Sequence, residues 1–399
     1  MASLTAARDR RIGRTLLPLG LVFLAVGIST ALLGPFLSLF LSTEVHAGPV
    51  RVTVFLVVAP LSGVLASTLI GRLSDRRPIR RALLIGAALI GLAGCALIAV
   101  VRDYWILLGL AVTAIALAGT MFPQAFAYAR QVTQRDDPGR ATMAISSLRT
   151  VFSIAWVVGP PLAAFLLARG GFGALYGAAA IMYAIAALVA IFWLDKVPAT
   201  APVAEVSETP VLDTSRWTLW FTAAAFTLLQ APLTLSVQAL PLFISRDLGG
   251  GIGDAGLILG LCAALEIPLM LGLGALSTRV PVRPLLLAGA ACGIAYYALA
   301  AAASSVWLLV GAQLINALFI AAVSGLGISY MQDMLPRHPG RATTLFTNSF
   351  PLGAMLAGPL FGLSAHFGFR LAYVLSAALC LVGLLVLVVV RNDHAGRRA

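Results

Sequence analysis

Twelve apolar segments, each about long enough to cross a bilayer, follow one another along the chain. They are residues 15–41, 51–71, 82–101, 105–129, 141–168, 172–194, 217–244, 254–276, 284–303, 306–331, 342–366 and 370–390. A helix needs about 20 apolar residues to cross some 30 Å of hydrocarbon at 1.5 Å per residue. Composition closes the soluble alternative. Of 399 residues, 60% are apolar and 11% charged, against about 25% charged in soluble domains. So few charges could not cover the surface of a soluble fold this large. Abundant glycine (38) and proline (21) suit helices packed in lipid. The chain reads as an all-α integral membrane protein.

Whole chemistries drop out at this stage. There is one lysine, Lys196, and no GxxxxGK[ST] string, which excludes a P-loop and an ATP-driven pump. His46, His338, His366 and His394 sit at segment ends or in loops without an HExxH, so no metal ligand set and no cofactor is expected. The net charge of +12 does not indicate nucleic acid. The arginines punctuate apolar runs, whereas a nucleic-acid binder gathers them on one soluble face. Cys95, Cys262, Cys292 and Cys380 lie scattered inside the runs and read as small buried residues with no disulfide framework. An embedded enzyme would need a clustered catalytic set, and a receptor a soluble signalling domain. Neither is visible, so no enzyme is expected.

Charge placement orients the chain. With the amino terminus inside, the inner segments hold twenty-one Lys and Arg. The outer segments hold Arg51, Arg102, Arg169, Arg246 and Arg370, and Arg149 lies within a span. Positive residues collect on the cytoplasmic side, so both termini are expected there. The first segment follows Arg8, Arg10, Arg11 and Arg14 but is too long for a signal peptide, so it is expected to remain as a span. Trp105, Trp193, Trp217, Trp220 and Trp307 fall at span ends, as an interfacial belt requires; Trp156 does not.

Residues 195–216 are polar, hold three prolines and lie midway, so they read as a cytoplasmic linker between halves 1–194 and 217–399. An internal repeat supports the division. GRLSDRRPIRRALL (Gly71–Leu84) aligns with GALSTRVPVRPLLL (Gly274–Leu287) at eight of fourteen positions. The same offset pairs SLFLSTEV (Ser38–Val45) with PLFISRDL (Pro241–Leu248), and PGRAT recurs at Pro138–Thr142 and Pro339–Thr343. Six spans separate the copies, so both halves share one orientation. Two parallel six-helix repeats are an architecture of secondary transporters.

These residues resemble the major facilitator superfamily. Gly71, Leu73, Asp75, Arg76, Arg80 and Arg81 match its loop motif between the second and third spans, with Pro78 where glycine is usual. The counterparts in the second half are Gly274 and Arg279. Over nearly its whole length the chain looks like the sugar efflux transporter family. That likeness rests on GPFLSLFLSTEV (34–45), MFPQAFAYAR (121–130), AWVVGPPLAAF (155–165), LEIPLM (265–270), QDMLP (332–336) and GRATTLFTNS (340–349). The resemblance implies twelve transmembrane helices and export of sugars or glycosides, driven by proton entry. The basic residue common in the fourth span of drug/proton antiporters is absent between Trp105 and Tyr128.

Away from their ends the spans hold one acid, Glu266, and one base, Arg149. Each costs about 2.5–3.5 kcal/mol at a helix centre, so idle charges are disfavoured there. Arg149 lies nine residues beyond Arg140 and Glu266 thirteen before Arg279, depths of about 14 and 20 Å. In the superfamily the fifth and eighth spans are neighbours. Either the two charges neutralise each other and fix packing, or Glu266 carries the coupling proton and Arg149 sets its affinity. The second is expected.

Polar residues at helical spacing are the candidates for substrate binding. The fourth span carries Thr113, Thr120 and Gln124, the seventh Thr227, Gln230, Thr234 and Gln238, and the tenth Gln313, Asn316 and Ser324. In the superfamily the first, fourth, seventh and tenth spans line the central cavity. Amides suit sugars because each offers donors and acceptors to neighbouring hydroxyls; the alternative is hydrogen bonding between helices. Trp156, seven residues beyond Arg149, could stack on a sugar ring, and Asn348 in the eleventh span is a further candidate. Gly159–Pro160 and Gly358–Pro359 are candidate gating hinges or simple kinks.

The expectation is therefore an exporter of sugars or glycosides working by alternating access. It would be a multi-pass monomer of the bacterial inner membrane, with the bilayer and its sugar as partners and the proton gradient as energy source. The alternative is a multidrug exporter of the same fold, whose cavity would be more aromatic and poorer in amides.

Overall fold

The computed structural model describes residues 2–76, 79–134, 138–194, 215–335 and 339–390, with side chains described except at 2–16, 75–76, 130–134, 138–147, 149 and 339–340. The expected linker therefore lies almost wholly outside the described residues, as do the side chains of Asp75, Arg76 and Arg149. Among the described residues the structure is helical, and eleven helices are long and apolar enough to cross a membrane. They are α1 (Leu17–Thr43), α2 (Pro49–Ser74), α3 (Arg80–Val100), α4 (Tyr104–Ala129), α5 (Thr150–Phe192), α6 (Arg216–Asp247), α7 (Ile252–Leu276), α8 (Val282–Ala302), α9 (Val306–Met334), α10 (Arg341–Phe367) and α11 (Arg370–Val389).

The fifth of these differs from the sequence expectation of two separate spans. At 43 residues it would extend about 64 Å as one straight helix, twice the hydrocarbon thickness. It is not one straight helix. Gly171 stands at φ 61°, ψ −161° inside it, a conformation open to glycine and costly for other residues. The corresponding junction in the second half, between α10 and α11, also turns on a glycine of positive φ, Gly368 at 113°.

The described chain forms two compact units, one of Met1–Phe40 with Ala59–Val206 and one of Leu41–Val58 with Ser207–Ala399. In the first, α1 packs on α5, and α3 on α5 and α4. In the second, α6 packs on α10 and α11, α8 on α11 and α9, and α7 on α9. Packing of the third helix of each half on its fourth and last recurs in both, whereas the packing of α7 on α9 has no counterpart between α2 and α4 among the described residues. The first part of α2 belongs with the second unit, where Gly358 and Gly362 of α10 face Val57 and Thr53.

Lipid offers apolar residues no reason to leave it, so these helices associate by close packing. In the first unit Gly27 and Ala31 of α1 meet Ala155 and Gly159 of α5, two small residues four apart on each helix. A methyl group on Gly27 would stand 2.8 Å from that of Ala155. This seam holds Gly159 against Ala31, and the helix keeps helical dihedrals through Gly159–Pro160. Trp105, Trp193, Trp217, Trp220 and Trp307 are all exposed at helix ends, while Trp156 is half-buried.

Candidate functional site

The second unit holds a polar cluster inside its apolar bundle. Tyr296 precedes the α8–α9 turn by seven residues and Gln313 follows it by eight, so the antiparallel helices bring them level. Gln313 Nε2 donates to the Tyr296 hydroxyl at 3.2 Å and to the Leu309 carbonyl at 2.9 Å. Asn316, one turn further on, donates from Nδ2 to Gln313 Oε1 at 3.1 Å and to Cys262 Sγ at 3.3 Å. Cys262 lies on α7, ten residues from its start, and Asn316 is ten from the start of α9. The two helices run in the same direction, so equal counts give equal depth.

Glu266 follows Cys262 by one helical turn and shares its face of α7. It is half-buried and has no hydrogen bond or ion pair among the described residues. The neighbouring part of α9 is a π turn, Ala321–Gly325, which packs on α7, with Gly325 close to Met270. Such turns widen a helix locally and frequently accompany functional sites.

Other candidate residues fall into distinct environments. Gln230 is 2% exposed, and neither its amide oxygen nor its nitrogen has a partner among the described residues. It is held where α10 comes close to α6: a methyl group on Gly353 would lie 2.8 Å from the Ala231 nitrogen and 3.0 Å from the Gln230 Cβ. Gln238 on the same helix is buried, Thr234 is half-buried, and Thr227 bonds back to the Ala223 carbonyl. Asn348 is exposed on α10. In the first unit Gln124 is 4% exposed with its Oε1 unpartnered, and Trp156 lies close to Gly34. Burying an amide group without a partner costs about 1–3 kcal/mol. These orphaned atoms are therefore where a polar ligand gains most.

One of the expected stripes is broken in the fold. Thr113 is exposed, whereas Thr120 and Gln124 are buried. The cause is a π turn at Ala111–Ile115 together with a turn at Thr120, which shift the phase of α4 between them. Uniform helical spacing does not survive an inserted residue.

The loop motif also takes on definite contacts. Arg80 Nη1 donates to the Ala127 carbonyl at 3.1 Å. Arg81 donates to Ala190 at 3.3 Å and Ile191 at 2.6 Å, the carbonyls that end α5. In the second unit Arg283 reaches the equivalent end of α11, the carbonyls of Leu387, Val388 and Val390. Gly71 is half-buried; Gly274 and Arg279 are exposed. Gly358 is buried against Val57 while Pro359 is exposed.

Tyr296, Cys262 and Arg283 were not singled out from sequence. Counting equal distances from the α8–α9 turn would have found the first, and the repeat alignment of Arg80 with Arg283 the last. Among the described residues no group of His, Cys, Asp and Glu could hold a metal ion. A surface pocket of about 280 Å³ lies by Asp254, Ser304, Ser305 and Trp307, and none of the polar-cluster residues lines it. Asp254 accepts from the Gly251 amide at 2.8 Å and so closes the start of α7.

Membrane-length helices in two units, with polar side chains buried among them, are the architecture of a membrane transporter. The chain belongs to the Major Facilitator Superfamily, whose profile matches residues 19–237 and again 222–399. It is accordingly a multi-pass membrane transporter and not an enzyme. It is 36% identical over 364 residues to sugar efflux transporter A of Dickeya chrysanthemi, covering 89% of this chain and 92% of that one. It is 34% identical to sugar efflux transporter B of Salmonella typhimurium (strain LT2), covering 90% and 93%. These relatives place it in the sugar efflux transporter family. The fold is shared with a mutant form of the nucleoside transporter NupG, at a TM-score of 0.78 and 14% identity over 94% of this chain and all of that one.

Proposed function

We propose that the protein exports sugars or glycosides by alternating access, coupled to proton entry. The observation that carries this reading is Gln230, whose amide is buried with both polar atoms unpartnered. A sugar offers adjacent hydroxyls that donate to the oxygen and accept from the nitrogen, so one ligand satisfies both. A lipophilic drug would leave them orphaned. The names of the relatives agree with this chemistry. Gln124, Gln238, Asn316 and Asn348 are the other proposed contacts, with Trp156 stacking on the ring. Gln313 is proposed to act through Asn316.

Glu266 is the proposed proton carrier, with Arg149 as the partner that takes its charge in one half of the cycle. An interior carboxylate with no local partner is costly unless the cycle uses it. The proposed topology counts α5 as two spans about Gly171, making twelve, with both termini cytoplasmic and the protein a monomer of the bacterial inner membrane. The deciding experiment is efflux of a panel of labelled sugars from proteoliposomes, with and without an imposed pH gradient. Accumulation of sugars that needs the gradient supports the reading. Export of lipophilic cations with no sugar transport would move the function to drug export.

A further inference from the structure

The polar cluster of the second unit has a direction, and the main chain sets it. Gln313 Nε2 lies 2.9 Å from the Leu309 carbonyl. A carbonyl oxygen only accepts, so this end of the Gln313 amide is its NH₂ group, and Oε1 faces the other way. There it accepts from Asn316 Nδ2 at 3.1 Å, and the same nitrogen donates to Cys262 Sγ at 3.3 Å. Both N–H groups of Asn316 are thereby used. Only Oδ1 remains, buried and without a partner among the described residues, on a residue 9% exposed. Turning the Asn316 amide over would set two acceptor oxygens against each other. Gln313 cannot turn to compensate, because Leu309 holds its nitrogen.

We propose that Asn316 is a fixed hydrogen-bond acceptor in the substrate site, taking one O–H of the transported sugar. Gln313, itself held by the Leu309 carbonyl, is the positioning residue that holds it in that sense. The inference rests on the sugar-export reading and deepens it by giving one contact its polarity. A ligand group that cannot donate, such as an ether oxygen or a fluorine, finds no partner at Oδ1. The transporter therefore demands a free hydroxyl at one position of the sugar. At the other positions the amide of Gln230, still able to turn, can adapt.

The test uses the full-length protein in lipid nanodiscs. Binding is measured first to a panel of methyl hexosides, methyl pentosides and disaccharides, then to each monodeoxyfluoro derivative of the strongest binder. Fluorine keeps the size of a hydroxyl but removes its proton. At one position the fluoro derivative is expected to bind about ten- to a hundredfold more weakly than the parent. Gln313→Ala releases the Asn316 amide and Asn316→Ala removes it, so in either variant the penalty at that position should fall below about threefold. Tyr296→Phe keeps the Leu309 bond and should keep most of the discrimination. If every fluoro derivative binds the native protein like its parent, the fixed acceptor is wrong and sugar export stands. The same holds if both alanine variants retain the native pattern. If no member of the panel binds, the sugar reading fails and the subsite falls with it.

Discussion

The two halves of this chain solve the same packing problem and then diverge in what they bury. Each uses an arginine at the foot of its third helix to hold the carbonyl end of its last one. The first half divides that work: Arg80 goes to Ala127 on α4 and Arg81 to Ala190 and Ile191. The second half has Pro284 where Arg81 would recur, and Arg283 alone reaches Leu387, Val388 and Val390 while lying beside the Tyr330 hydroxyl. Inside, the first half has an apolar seam of Gly27, Ala31, Ala155 and Gly159. The second holds Glu266 and the chain Cys262–Asn316–Gln313–Tyr296. Among the described residues the hydrogen-bonded polar cluster lies in the second half, while the first buries single polar side chains such as Ser29 and Gln124. The second half is therefore where the proposed chemistry is most sharply tested, with Gln124, Trp156 and Arg149 as the first half's proposed share.

The most severe test of that view is Glu266→Gln, which imitates the protonated state. It should abolish sugar accumulation driven by a pH gradient while leaving substrate binding and downhill exchange in place. Vesicle transport with the gradient imposed and collapsed checks this. Accumulation that survives in the variant would make Glu266 structural and remove the main distinction between the halves.

The buried amides separate the halves by a smaller margin. Gln230 has two orphaned atoms and Gln124 one. Gln230→Ala should cost about 1–3 kcal/mol of sugar affinity, roughly ten- to a hundredfold, and Gln124→Ala the lower end of that range. Equilibrium binding to both variants tests the ranking. Equal losses would mean that the halves contribute alike.

At the helix ends, Arg283→Ala should lower stability by about 1–3 kcal/mol, because several carbonyls lose a charged donor together. Arg81→Ala should cost less, since Arg80 still ties the start of α3 to α4. Thermal unfolding in detergent ranks the two, and a larger loss for Arg81→Ala would refute the division of labour. The smallest effects are expected at the turns. Gly171→Ala and Gly368→Ala force a side chain into positive φ and should each cost about 1 kcal/mol. A variant as stable as the parent in the same assay would show that its turn relaxes freely.

Much of this was legible in the residues themselves. Segment lengths marked the spans because hydrocarbon thickness fixes how many residues a helix needs. The GRLSDRRPIRRALL and PGRAT repeats marked the two halves. The amides of Gln230 and Asn316 stood out because polar side chains are costly in lipid. Thr113 did not keep its place in the stripe, since a π turn leaves no mark in residue spacing.

Residue order alone is enough to establish that this chain crosses a membrane, that it is built twice, and that its interior charges are few. Those properties follow from transfer energies summed over local runs, which need no knowledge of neighbours. It took the packed helices to show that Gln313 is satisfied while Gln230 is not, and that the Asn316 oxygen is the atom left open. Hydrogen bonds depend on ångström-scale meetings between helices far apart in sequence. The Leu309 carbonyl that orients the whole cluster carries no side-chain signature.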